Sequence, residues 1–195
     1  MNEALEANAL KIVKTDQEKH AYDFVLILPN RLNPENSTNI VKPWKNYNRG
    51  VSKKNYTNVS DTEMVTYVDY IMDQIQSHTL CKGIHMSHIE YKLNHSDIIL
   101  LFRKSSEPIE LHGIAICVKD PDHFTLKVDI VCGSNTQKGI GSILLEEIRQ
   151  IAKALGYKAI TLQSLPSSIG FYFKKGFSCN NPEKLCNMKY ELHSG

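Results

Sequence analysis

A glycine-rich turn between an apolar strand and an amphipathic helix constrains this chain more than any other feature. Val128 to Cys132 reads as the end of a strand, and Gly133, Gly139 and Gly141 punctuate the residues after it. Ile140, Leu144, Leu145, Ile148, Ile151, Ala152 and Leu155 then recur on one face, which predicts a helix over 140–155 ended by Gly156. Glycines let a backbone come close to a bulky anion. A helix start offers it unpaired N–H groups and the positive end of a dipole. Lys138 adds a mobile positive charge. Together these meet the needs of a pyrophosphate. Taken alone the turn is weak evidence, because glycines also cap and pack helices. The dinucleotide fingerprint lacks its third glycine, whose place Leu144 holds, and no Gly-Lys-Ser/Thr triplet forms a P-loop.

The remaining pattern surrounds this turn with alternating strands and helices. Phe24 to Leu28 is an apolar run stopped by Pro29 and predicts a buried strand. Ser60 to Glu63 forms a capping box. Met64, Val65, Val68, Ile71, Met72 and Ile75 follow at helical spacing, so a helix is expected over 61–77. Strands are expected over Ile98–Phe102, His112–Val118 and Phe124–Cys132. Asp120, Pro121 and Asp122 turn the last two into a hairpin. Ala159–Leu162 reads as a strand, 166–175 as a short helix opened by Pro166, and Phe177–Cys179 and Met188–Leu192 as closing strands. The order implies one α/β sandwich domain over residues 1–195 with a mixed sheet. Residues 1–20 are weakly patterned, and 30–59 form a long basic loop containing aromatics.

About thirty residues after the glycine turn comes a second motif, in which Ser168, Gly170, Phe171 and Tyr172 precede Gly176 and Phe177. The pair resembles the GNAT N-acetyltransferase superfamily over roughly residues 111–178. The resemblance implies a mostly antiparallel central sheet flanked by helices and splayed between its fourth and fifth strands. It implies acetyl-CoA as the acetyl donor. Asp129, Ile130 and Val131 would lie at the splay, with their backbone along the pantetheine arm and the acetyl carbonyl. An N–H aimed at that carbonyl would stabilise the oxyanion. Gln137, Lys138, Gly139, Ile140, Gly141 and Ser142 would wrap the pyrophosphate, and Ser168 and Phe171 would flank the pantetheine. Tyr172 falls on the family's frequent general acid, beside the departing thiolate. Two positions depart from the pattern: Thr136 stands where Gln or Arg is usual, and Leu165 where many members carry Asn.

The implied reaction is direct attack of an amine on the thioester in a ternary complex, with a carboxylate taking the amine's proton. Alternation puts Thr125, Lys127, Asp129 and Val131 on one strand face if no bulge intervenes, which makes Asp129 the candidate base. Pairing of Asp129 with Lys127 or another base is the competing reading. The acceptor is an amine on a protein or a small molecule. Two rival readings are a coenzyme A-binding module without catalysis and a nucleic-acid binder using the basic loop 42–56.

A formal net charge of +2 is too small to imply a nucleic-acid binder by itself, and nucleic acid is not the expected partner. No apolar run is long enough to cross a bilayer. The first residues carry acids and no apolar core, so they do not read as a secretory signal. Five cysteines without such a signal are expected as free thiols in the cytoplasm or nucleus. Cys81, His85 and His88 have a metal-like spacing, but no fourth ligand is singled out, and no metal is assigned. Cys132 is expected to be a small buried hydrophobe rather than a nucleophile.

Overall fold

The computed structural model describes residues 22–29, 58–59, 61–104, 110–134, 137–179 and 185–192. Strand β1 (Tyr22–Pro29) and the short β2 (Asn58–Val59) are followed by helices α1 (Asp61–Ser77) and α2 (Met86–Asn94). Then come β3 (Ile98–Lys104), β4 (Glu110–Asp120), β5 (Thr125–Gly133), α3 (Ile140–Ala154), β6 (Ala159–Ser164), α4 (Pro166–Lys174) and β7 (Cys186–Glu191). One sheet runs in the order β2-β1-β3-β4-β5-β6-β7. Its pairs are antiparallel except β1 with β2 and β5 with β6. It is therefore the mixed, mostly antiparallel sheet expected from the sequence.

Helices cover the sheet on both sides, and each layer has its own core. On one side α3 sets Ile140, Leu144, Leu145, Ile148 and Ile151 against Leu126 and Val128 of β5 and Ile160 and Leu162 of β6. On the other, Val68, Ile71 and Ile75 of α1 and Ile89 and Leu93 of α2 pack on Ile99, Leu101, Ile114 and Ile116. Burying one such side chain stabilises by about 1.5–3 kcal/mol, so these stripes set where the helices sit. The hairpin turns as expected, with the His123 N–H donating to Asp120 Oδ1 at 3.2 Å.

Several expectations need correction. Helix α2 has no counterpart in the sequence reading. Two buried residues, Ile89 and Leu93, are too short a stripe to show, and His85 at its start makes no side-chain capping bond. Phe177–Cys179 is not a full strand: Ser178 makes a single bridge to Lys189. Asn58–Val59, read as loop, adds to β1 in parallel. The free-thiol expectation also fails. Disulfides join Cys81 to Cys132 and Cys179 to Cys186, and Cys117 is the free, buried thiol. The first pair is 51 residues apart. It forms because the α1–α2 turn packs on the end of β5, which no count of cysteines can reveal. With its sulfur bound to Cys132, Cys81 cannot join the exposed His85 and His88 as a ligand. Residues 1–20, Ser60 and the basic stretch 42–56 lie outside the described residues. No described helix is long and apolar enough to cross a membrane.

Candidate functional site

The sheet parts in front of the glycine turn. Strands β5 and β6 pair from Thr125 with Ala159 to Val128 with Leu162, and there the pairing stops. Strand β5 continues to Gly133 and β6 to Ser164. From Asp129 onward, the β6-facing edge of β5 has no strand partner among the described residues. This is the expected splay.

The parting coincides with a β-bulge. Across β4, Ile116 opposes Ile130 while Cys117 opposes Val128, which leaves Asp129 as the extra residue. The bulge reverses the alternation. Leu126 and Val128 face the α3–α4 core, Ile130 faces the α1–α2 core, and Val131 packs on the α3–α4 side. The condition for Thr125, Lys127, Asp129 and Val131 to share one face, that no bulge intervenes, is not met, because the inserted residue shifts the period of 2 and turns Val131 to the other side.

Asp129 sits at this bulge under two ammonium groups. Its Oδ2 accepts from Lys92 Nζ of α2 at 2.8 Å, and its Oδ1 pairs with Lys127 Nζ at 3.0 Å. The side chain is 7% exposed. Burial alone would raise its pKa. The hydrogen bonds and charges of Lys92 and Lys127 outweigh burial and hold it below the ordinary carboxylate value. Lys92 was not foreseen, since it belongs to the helix that the sequence pattern hid.

The glycine turn has the shape required of it. Gly139 takes φ 91° as the residue before α3, and a Cβ there would meet nothing within 4 Å. The N–H groups of Ser142 and Ile143 turn back to the Gly139 carbonyl at 2.9 and 3.1 Å, which starts the helix. Gly141 faces α4: a Cβ on it would stand 3.3 Å from Phe171 Cζ. Lys138 is exposed, and Gln137 turns a buried Oε1 inward with no hydrogen-bond partner among the described residues. Ile140 anchors the turn. A Cβ on Gly113 would lie 2.5 Å from Ile140 Cγ2, and one on Gly133 2.8 Å from Ile140 Cβ. Both strand glycines are thus a seat for this side chain. The sequence reading missed their role, although a glycine inside a strand is a known sign of close approach. Thr136 lies outside the described residues.

Helix α4 closes the site from the other side. Leu165 precedes it in extended backbone and Pro166 opens it, as the sequence suggested. Ser168 lies in its first turn, half-buried, and Phe171 is partly exposed beside Gly141. Tyr172 packs edge-on against Phe171 and Phe177, with centroids 5.0 and 5.6 Å apart. Burial pushes its phenol pKa up, so the hydroxyl keeps its proton at neutral pH.

The open edge of β5 leads along the chain towards the bare helix start at Gly139, and Phe171 of α4 lies against Gly141 beside it. A Cβ on Gly139 would stand in open space, and past Val128 the β6 side of β5 has no strand partner among the described residues.

No sequence-family model matches the chain, and no curated protein does. Solved structures do. An acetyltransferase of the GNAT family from Desulfovibrio desulfuricans matches over 66% of this chain and 94% of its own, at 11% identity and a TM-score of 0.51. An aminoglycoside 6'-acetyltransferase of type Ii matches over 67% of this chain and 93% of its own, at 13% identity and a TM-score of 0.50. N-acetylglutamate synthase from Neisseria gonorrhoeae aligns with 67% of this chain at 13% identity and a TM-score of 0.47, and the chain spans 33% of its length. With the splayed sheet and the glycine turn in their expected places, the fold of this chain is that of the GNAT acetyltransferases.

Proposed function

We propose that the protein is an acetyl-CoA-dependent N-acetyltransferase that moves an acetyl group to an amine by direct attack in a ternary complex. The observation that carries this reading is the parting of β5 from β6 after Val128, on the strand that leads into the bare start of α3. Acetyl-CoA, when bound, supplies an acetyl group activated as a thioester. Gln137 to Gly141 would hold its pyrophosphate through backbone N–H groups and the helix dipole, with the Ser142 hydroxyl beside them, since its N–H is taken by the Gly139 carbonyl, and with Lys138 as counter-charge. Ile130 and Val131 offer backbone groups along the splay, and a backbone N–H there stabilises negative charge on the acetyl oxygen. Ser168 and Phe171 wall the opposite side.

Tyr172 holds the proton that the leaving sulfur needs. Its raised pKa keeps Oη a donor throughout the neutral range. For Asp129 the geometry favours the pairing role over that of a base. A carboxylate held by two ammonium groups, with its pKa lowered, is a weak proton acceptor. In this reading Asp129 is a positioning residue that fixes Lys92 and Lys127 at the bulge.

Calorimetric titration with acetyl-CoA tests the coenzyme site, and absence of binding by the folded protein would remove the proposal. Tyr172→Phe tests the proton donor. It deletes the hydroxyl but keeps the ring, so the maximal rate should fall about 100-fold, at the low end of general-acid effects, with coenzyme affinity nearly unchanged. Full turnover by the folded variant would make Tyr172 a core aromatic and nothing more.

A further inference from the structure

The sheet face opposite α3 and α4 carries an open groove across its last three strands, whose walls combine polar side chains with the apolar Leu162, Cys179 and Met188. In β6, Thr161 and Gln163 alternate with the core residues Ile160 and Leu162. In β7, Asn187 and Lys189 alternate with Cys186 and Met188. Thr161, Gln163, Asn187 and Lys189, with Lys127 and Ser178, line a cavity of about 520 Å³. Its lining offers two ammonium groups, two carboxamides and two hydroxyls, and no carboxylate among the described residues. The nearby carboxylates are both engaged: Asp129 by Lys92 and Lys127, and Glu191 by Lys189 Nζ at 2.7 Å. Lys92, which reaches Asp129 from outside the lining, makes three lysines against two carboxylates and leaves one positive charge in excess beside the groove. Lys189 is half exposed, at 52%, and its partner Glu191 is exposed as well, so this ammonium can turn to a ligand while Lys127 stays on Asp129. The contact from Gln163 Nε2 to Asn187 Oδ1 is long, at 3.5 Å, and costs little to replace.

We propose that this groove receives the acceptor, and that the acceptor is a peptide with an acidic side chain close to the amine that is acetylated. The inference rests on the acetyltransferase reading and deepens it. Three observations support it. The groove adjoins the parting: Gln163 is the first β6 residue past the last β5–β6 pair, and Lys127 immediately precedes the last-paired Val128. Its width spans three strands, about 10 Å at roughly 4.8 Å per strand spacing, which suits two or three extended residues. Its donors and excess positive charge complement carboxylates, which form charge-assisted hydrogen bonds with lysine. The same charge disfavours a bound ammonium ion, so an acceptor amine seated here gives up its proton more readily. That assists attack without requiring a strong base in the protein.

Calorimetry on the full chain, with and without coenzyme A, would use two probes: N-acetyl-glycyl-glutamate and its uncharged diamide. The acidic peptide should bind at least tenfold more tightly at low ionic strength, and the preference should shrink as salt is added. Lys189→Gln should abolish the preference while leaving coenzyme A affinity unchanged. Equal affinity for the two peptides, binding of neither, or a preference that survives Lys189→Gln would overturn the proposal. Failure of coenzyme A to bind the parent protein would instead count against the acetyltransferase reading, and the peptide titration without coenzyme still decides the charge preference.

Discussion

The two faces of the sheet are held by different means. On the α3–α4 face, packing dominates and the one disulfide, Cys179 to Cys186, spans 7 positions: six apolar residues of one fifteen-residue helix are buried, and Ile140 drops onto two bare glycines. On the α1–α2 face, apolar packing is supplemented by ties between distant residues. Cys81 is bonded to Cys132 across 51 positions, and Lys92 reaches Asp129 across 37. Even the backbone differs. The left-handed turn before α3 uses Gly139. The turn after α1 places Thr79 and Cys81 at φ 50° and 56°, where side chains are strained. A bare turn leaves space for an anion to approach. A strained turn has to be held by packing and cross-links, here by buried Leu80 and Cys81.

Cutting the ties should therefore harm stability on one face, and filling the bare turn should harm coenzyme binding on the other. The largest effect is expected from replacing both Cys81 and Cys132 with Ser. Loop-closure entropy for a 51-residue separation is worth roughly 4 kcal/mol, so chemical denaturation should show a loss of that order. A loss below about 1 kcal/mol would mean that packing alone fixes the α1–α2 turn.

Gly139→Val addresses the other face. It forces a β-branched residue to φ 91° and fills the space beside the turn. Acetyl-CoA affinity should fall about 100-fold, equivalent to roughly 2.7 kcal/mol, with a smaller loss of stability. Calorimetry paired with a melting curve separates the two, and a variant that melts early yet binds normally would reverse the assignment.

The smallest effect is expected from Asp129→Asn. It removes a carboxylate whose folded pKa is depressed. The stabilisation is therefore fully present above the ordinary carboxylate pKa of about 3.9 and is lost as pH falls through the lower folded value. Near neutral pH the variant should lose about 1–3 kcal/mol, and its difference from the parent should fade below about pH 4. A gap that persists unchanged in acid would show that the lysine pairing is not its source.

The same contrast explains what could be read in the sequence. The stripes of α1 and α3, the Asp120–Asp122 turn, the Pro166 helix start and the glycine turn are all written within a few residues, and the structure has each of them. The splay followed from the resemblance and is present. The bulge at Asp129 was not legible, because it is defined by what β4 places opposite it. Neither was α2, whose place depends on two buried residues and an ion pair from the helix to β5. The disulfides and the glycine seat of Ile140 depend on tertiary proximity in the same way.

The interrupted ladder between β5 and β6 has a consequence for how the protein tolerates heat and crowded surroundings. An unpaired strand edge ordinarily invites another strand and with it self-association. Here the edge lies inside the sheet, with β4 on its far side and β6 across the gap, so a second sheet cannot reach it. On the proposed function, a slender molecule carrying amides would enter it and, in filling the slit, would join the fold it binds. Its affinity is then added to the free energy of unfolding, by about 2.7 kcal/mol at a hundred times its Kd. The native state is in this sense a sheet with one rung left for a guest.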